Sequence, residues 1–252
     1  CGGTLNHIGA GTQLIVDELQ QLFPDAPILR MDTDSVTPVG SHEALFEKFK
    51  NENIPIMVGT QMVTKGLNFE NVTLVGVISA DQSLYAGDYR AGERTFSLIT
   101  QVVGRGGRGA KPGRAVIQTY TPDNETIRLA AQQDYEAFFT SELSLRQIQN
   151  TPPFCDILTI TASGQEEAQV VRACRFARQR LEQLLSGRSE IRFLGPTPLS
   201  VVKVNNRYRY RVQLNCTSDA AVRSAVSQTV IDCNTDKRFK GVAVFADNGP
   251  LD

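Results

Sequence analysis

Two arginines, Arg105 and Arg108, stand three residues apart among the glycines of QVVGRGGRG, residues 101–109, with Gln101 opening the stretch and Gly104 just before the first arginine. A guanidinium presents a planar fork of donors that suits phosphate oxygens, and glycine lets the backbone come close to such a group. The other reading is a glycine-rich turn with two solvated arginines. A second stretch of phosphate-binding type is GTQMVTKGLNF, residues 59–69. There Gly59 and Thr60 offer backbone N–H groups and a hydroxyl where a strand is expected to pass into a short helix, and a helix start can hold a phosphate without unusual side chains. Lys65 adds a mobile cation, and Gly66 permits close approach on the following turn. A capped helix with a solvated lysine is the plainer alternative.

A third candidate is VVKVNNRYRYRVQL, residues 201–214. Asn205 and Asn206 can adopt the positive φ of a tight hairpin, and strand alternation then puts Arg207, Arg209 and Arg211 on one face with Tyr208, Tyr210 and Val212 on the other. Such a face could hold DNA, three cations on phosphates with Tyr208 or Tyr210 stacking on bases; it could equally be a solvated basic strand whose tyrosines pack on helices. Lys203 is a further cation for DNA, although a two-residue loop would put it on the tyrosine side. Arg172, Arg175 and Arg178 form a solvated or partner-docking face on the preceding helix. The five cysteines include no CxxC pair and do not suggest a disulfide framework. Cys1 opens the chain as Cys-Gly-Gly, which suggests a cut from something longer: it is either the last ligand of a zinc site whose partners lie upstream or an arbitrary boundary. His7 and His42 have no ligand-type neighbours.

The elements that must carry these residues follow from periodicity. Apolar positions 14, 15, 16, 19 and 22 suit a helix capped by Thr12 and stopped by Pro24. Residues 28–31 read as a strand, 41–51 as a helix, 54–59 and 72–78 as strands, 90–103 as a helix and 115–120 as a strand. Short apolar strands alternating with helices predict a parallel sheet covered on both faces, with ligands outside the carboxyl ends of its strands. Helix is expected to continue from 124 to 150, with Ile127, Ala131, Tyr135, Phe138, Phe139 and Leu143 as its buried stripe. Pro152 and Pro153 then open a new domain. Its order is strand 157–163, helix 165–185, strand or strand pair 191–204, strand 207–214, helix 219–230 and strand 241–246, which is the β-α-β-β-α-β, ferredoxin-like arrangement.

A chain of 252 residues with 41% hydrophobic content is long enough for two domains. Its formal net charge of -1 requires that any nucleic-acid contact come from local patches. No apolar run approaches the ~18–20 residues needed to span a bilayer, and the amino terminus has no signal-peptide layout. The protein reads as soluble and cytoplasmic, with no membrane partner.

Three blocks, GTQMVTKGLNFENVTLVGV, DYRAGERTFSLITQVVGRGGRGAKPGRAVIQTY and DYEAFFTSELSLRQIQNTPPF, resemble the primosomal replication-restart DNA helicases, the PriA or primosomal protein N′ family of superfamily 2. The first is similar to helicase motif V, the second ends in motif VI, and the third resembles the start of that family's own C-terminal domain. Where the family usually reads QVAGRAGR, this chain has Val103 and Gly106. Asn68 stands where an aspartate is common, and Thr151 where an aromatic often precedes the PPF stretch.

The resemblance implies a RecA-like helicase lobe 2 over residues 1–122, a connecting helix over 123–150 and an α+β DNA-binding domain over 151–252. The G-x-x-x-x-G-K-[ST] loop and acidic metal motif of the first lobe do not occur here. The chain therefore looks like lobe 2 after the family's zinc-binding insertion, with Cys1 as a former ligand of Zn2+. ATP with Mg2+ would lie between the lobes, lined from this side by Gly66, Asn68 and Gly104. Arg105 and Arg108 would neutralise charge on the transferring phosphoryl group, and Gln101 would hold the motif in place. Gly59, Thr60, Gln61 and Lys65 would grip the DNA backbone. The implied partners are branched forks and single strands, single-stranded-DNA-binding protein and primosome proteins, in a nucleoid-associated setting. The competing class is a non-catalytic module that recognises DNA or a replication partner.

Overall fold

The computed structural model of the chain describes residues 11–32, 41–60, 72–104 and 113–249, without the side chains of Ser41 and His42. Cys1, His7, Gln61, Lys65, Gly66, Asn68, Arg105, Gly106 and Arg108 lie outside those residues. The chain divides into two units, Cys1–Glu142 and Leu143–Asp252.

The first unit alternates helix and strand: α1 (Thr12–Leu22), β1 (Ile28–Met31), α2 (Ser41–Asn51), β2 (Ile56–Gly59), β3 (Leu74–Val77), α3 (Asp81–Leu84), α4 (Ala91–Val103), β4 (Arg114–Ile117), α5 (Glu125–Gln132) and α6 (Tyr135–Gln149), the last running on into the second unit. The strands pair in parallel, as the alternation predicts. Among the described residues they form two couples, β1 with β2 and β3 with β4, in place of one sheet. Neither is the β3–β4 couple covered on both faces: Val77 and Ile117 pack on the core, while Leu74 and Val116 are 63% and 55% exposed. The strand expected over 115–120 ends at Ile117, because Gln118 accepts a hydrogen bond from the Ala80 N–H and Thr119 turns away to Asp81.

The core of this unit is aromatic and comes largely from helices. Phe96 of α4 stacks on Phe138 of α6 with ring centroids 4.1 Å apart, beside buried Ile99, Ile127, Leu129 and Ala130. The helix expected over 124–150 is two helices. Gln133 adopts φ 58° and caps α5, and the Asp134 carboxylate accepts from the Ala137 N–H at 3.0 Å to start α6. The break resets the helical phase, so Tyr135 and Phe139 of the expected stripe are exposed; Ala131, in the last turn of α5, is exposed as well.

The second unit is built on one antiparallel sheet, order β6-β7-β5-β8, from β5 (Asp156–Gly164), β6 (Arg192–Val204), β7 (Arg207–Cys216) and β8 (Ala243–Asn248). Helices α7 (Glu167–Leu184) and α8 (Ala220–Thr235) complete the β-α-β-β-α-β order read from the sequence. Both helices cover one face, where Ile160, Val170, Leu181, Val212, Leu214 and Val222 are fully buried. Each such side chain contributes ~1.5–3 kcal/mol relative to exposure. Asp219 caps α8 by accepting from the Val222 N–H at 2.9 Å, and Arg188 pairs with the same carboxyl group at 2.6 Å. Cys155 is half-buried, and Cys174, Cys216 and Cys233 are buried free thiols. Among the described residues no helix is long and apolar enough to cross a membrane.

Candidate functional site

In the first unit, of the residues read as phosphate-binding, Gly59 and Thr60 stand at the carboxyl end of β2 and Gln101 and Gly104 at the end of α4. Register pairs Met31, the last residue of β1, with Gly59, the last of β2, so that Asp32 and Thr60 leave the couple side by side. Gly59 and Thr60 are exposed. Asp32, only 4% exposed, takes the Arg30 guanidinium through Nε and Nη2, each at 2.6 Å. It also accepts from the Thr12 hydroxyl, while Arg30 donates to the Gln13 side-chain oxygen. Thr12 is thus not the cap of α1. Gly11 occupies that position without a side-chain bond, because the Thr12 hydroxyl is drawn as a donor to a buried carboxylate 20 residues away. The effect is to tie the first turn of α1 to the end of β1.

The other couple is closed at the same ends by Asp81. Its carboxylate accepts from the Thr119 hydroxyl at 2.9 Å, the Thr121 hydroxyl at 2.9 Å and the Tyr120 N–H at 3.0 Å. Burial works against the charged carboxyl, yet these donors outweigh it and hold its pKa below the ordinary value. Ser79, at φ 55°, turns the chain into this knot. The segment then reaches α4 through Asp88, which accepts from the Arg90 N–H and pairs with Arg94 at 2.7 Å. Helix α4 buries Ala91, Thr95, Phe96 and Ile99 and leaves Gln101 exposed in its last turn. Gly104 closes the helix, and a Cβ there would stand 3.2 Å from both the Gln133 side-chain nitrogen and the Thr100 carbonyl oxygen. That crowding gives Gly104 a packing reason to be glycine. A helix packed on the core along one side thus precedes residues 105–108.

In the second unit the hairpin forms as its residues predict. Val204 pairs with Arg207 across Asn205 and Asn206, at φ 48° and 60°. Tyr208 and Tyr210 face the helices and pack against the core, which removes them as base-stacking residues on the arginine side. The Tyr210 hydroxyl donates to Glu167 at 2.5 Å, and that bond raises its pKa. Lys203 pairs with Tyr208, its ammonium 4.7 Å from the ring centroid, and so stands on the face opposite Arg207, Arg209 and Arg211. The row of three is half-buried rather than freely solvated. Arg207 donates to the Ser163 carbonyl at 2.7 Å, and Arg209 donates to the Val201 carbonyl at 2.9 Å.

Two features of this face were not read from the sequence. Phe245 is paired with Thr161, which is paired with Arg211, so the ring lies on the arginine face and is 45% exposed. A signal for it exists: Val242 and Val244 are buried, and alternation turns Phe245 outward. The second is the β6 bulge opposite Arg211. Gly195, at φ 95°, lies where a Cβ would stand 2.6 Å from the Arg211 carbonyl oxygen.

Comparison with known proteins places both units. Residues 12–110 match the helicase conserved C-terminal domain, and residues 147–251 match the primosomal protein N C-terminal domain. The chain is similar to the replication restart protein PriA of Bacillus subtilis, with 35% identity over 98% of this chain and 30% of the relative. It is also similar to the proteins of that name from Synechocystis, 40% identical over 82% of this chain and 25% of the relative, and Chlamydia pneumoniae, 36% identical over 82% and 28%. The chain spans less than a third of the length of these relatives.

Proposed function

The chain belongs to the PriA family of replication restart proteins, and from that premise we propose that it is the part of an ATP-dependent DNA helicase made of the second RecA-like lobe and the C-terminal domain. The observation that carries this reading is the run of α4 from its buried stem, through exposed Gln101 and crowded Gly104, into the arginine pair. Phosphoryl transfer to water needs charge neutralised on the γ-phosphate oxygens as it develops, and an arginine from a second lobe supplies this only on closure. Arg105 and Arg108 take that role on an ATP·Mg2+ bound against a first lobe. Gln101 holds the motif, and Gly66, Asn68 and Gly104 line the nucleotide from this side. Gly59, Thr60, Gln61 and Lys65 contact backbone phosphates of the tracked strand. Such contacts carry no sequence information, which suits an enzyme that must act wherever a fork has stalled. Arg207, Arg209 and Arg211 add a DNA-holding face in the second unit; Lys203, on the other face, is separate from that row. Forks, single-stranded-DNA-binding protein and primosome proteins are the partners this role requires.

Zinc stands apart. Among the described residues no three His, Cys, Asp or Glu side chains gather as a metal site. A zinc role in the longer protein rests on Cys1 alone, and no step here runs through it.

The test is Arg108→Ala in the full-length protein. DNA-stimulated ATP hydrolysis should fall by ~10³–10⁵ while DNA binding survives; unchanged steady-state turnover would remove Arg108 from the mechanism. The 252-residue chain by itself should hydrolyse no ATP, and a DNA-stimulated ATPase from it would overturn the shared-site reading. A binding module is the second reading, favoured by the arginine face of the second unit, which needs no other lobe to be complete.

A further inference from the structure

The arginine face and the exposed ring on β8 lie on the same side of one sheet. Arg207, Arg209 and Arg211 run along β7, advancing ~6.8 Å at each step. Two strands over from Arg211, on the order of 10 Å across the sheet, stands Phe245. Between them lies only Thr161, a short side chain 5% exposed beneath its neighbours. Charge is divided across the face. The cations are on β7 and, with Arg192, on β6, whereas β8 contributes the ring and, one row on, Asp247, which is paired with Thr159. An acidic group on the ring side disfavours phosphate there and keeps it on the arginine side.

Arg209 adds a second observation. Its Nη2 reaches the Val201 carbonyl, but its Nε is buried with no hydrogen-bond partner. A buried unpaired donor is unfavourable, so an acceptor that drew this guanidinium off the sheet would restore a lost bond. We propose that this face binds single-stranded DNA, with the arginine row on its phosphates and Phe245 stacked on a base. The inference rests on the DNA-holding role given above to the arginine row, and names the form of DNA and the residue that selects it. A single strand can turn its bases toward β8 while its backbone follows β7, and the sugar bridges the gap between them. Paired bases of a duplex keep their faces inside the stack, out of reach of the ring.

The experiment measures binding of the whole 252-residue chain to a fluorescent oligo-dT and to a duplex of equal length, over a series of salt concentrations. Phe245→Leu should weaken oligo-dT binding by ~5–150-fold, the range of one stacked base, and leave duplex binding within about twofold. Phe245→Tyr should keep the affinity, since the ring face is retained. The half-exposed position makes both substitutions compatible with folding, which the unchanged duplex binding checks. Oligo-dT affinity unaltered by Phe245→Leu would overturn the proposal, as would equal losses on both DNAs. Arg209→Gln separates the two layers: it should lower the salt slope by about one contact, and Phe245→Leu should not. If Arg209→Gln leaves the slope unchanged, the DNA-holding role of the arginine row fails; if only the Phe245 variants are silent, that role stands and the stacking fails.

Discussion

The two units solve the problem of covering a sheet in different ways. The second closes a core on one face of four long antiparallel strands, with Ile160, Val212 and Leu214 fully buried under α7 and α8. The first has, among the described residues, four parallel strands of four residues each, pairs them two by two, and draws its core from helices around Phe96 and Phe138. Antiparallel sheets commonly leave one face to solvent, whereas parallel strands are usually covered on both; the β3–β4 couple departs from that, with Leu74 and Val116 exposed. The same difference governs where polar residues go. The second unit puts its arginines on the sheet face turned away from α7 and α8, and the first places buried carboxylates, Asp32 and Asp81, at strand ends to hold its loops.

If the units are separate in stability, the largest effect should come from the larger core. Leu214→Ala should cost ~2–5 kcal/mol and lower one unfolding transition, that of the second unit, leaving the other in place. Differential scanning calorimetry with hydrogen exchange would assign the transitions; one merged transition that moves as a whole would break the comparison.

A titration should sharpen it. Burial pushes the Cys174 and Cys233 thiols up to about 12 and Cys216 up to about 11. A group whose folded pKa lies above its unfolded value stabilises fully below the unfolded value, near 8.5–9, and the contribution is lost as pH rises toward the folded one. From pH 9 upward the second unit should therefore lose ~1.4 kcal/mol per pH unit for each such thiol. Cys174→Ala should flatten that slope in denaturant melts, while the first unit, with no such thiol among the described residues, keeps its transition.

Next in size is the knot in the first unit. Asp81→Asn keeps the shape but weakens three accepted bonds and should cost ~1–3 kcal/mol, measured as a lower midpoint of the first unit's transition. The sign with pH is opposite to that of the thiols. The Asp81 pKa is held below the ordinary value, so its contribution is present above the unfolded value, ~3.9, and lost as pH falls through the folded one. Asp81→Asn should be less sensitive to acid than the parent chain.

What the sequence made legible divides along the same line. Asn205 and Asn206 announce their turn because positive φ is a local property, and the second unit's order follows from long alternating strands. Strand β1 and helix α2 match their expected bounds, 28–31 and 41–51, for the same reason. The break at Gln133 was missed because a non-glycine residue takes the left-handed conformation there, although Asp134 ahead of an apolar run is a capping signal. Thr12 looked like a cap because Asp32 is distant in sequence. Phe245 joins Arg211 only through the register of β8 on β5, some 80 residues apart, so no window around the hairpin could contain the ring that shares its face.

The smallest expected effect is the most even-handed, because one helix cap of the same kind can be compared from each unit. Asn124 accepts from the Ile127 N–H to start α5, and Asp219 accepts from the Val222 N–H to start α8. Alanine at either position should cost ~1 kcal/mol at neutral pH. Acid should separate them. The Val222 N–H, and then Arg188, hold the Asp219 pKa below its ordinary value, so its cap is fully present above the unfolded value and lost as pH falls through the folded one, while the amide of Asn124 does not titrate. In urea melts from pH 7 downward, Asn124→Ala should cost the same throughout, and the cost of Asp219→Ala should shrink as the pH falls below the ordinary carboxyl range. Equal acid sensitivity of the two would mean that the carboxylate charge plays no part in holding α8, and that the units differ in packing alone.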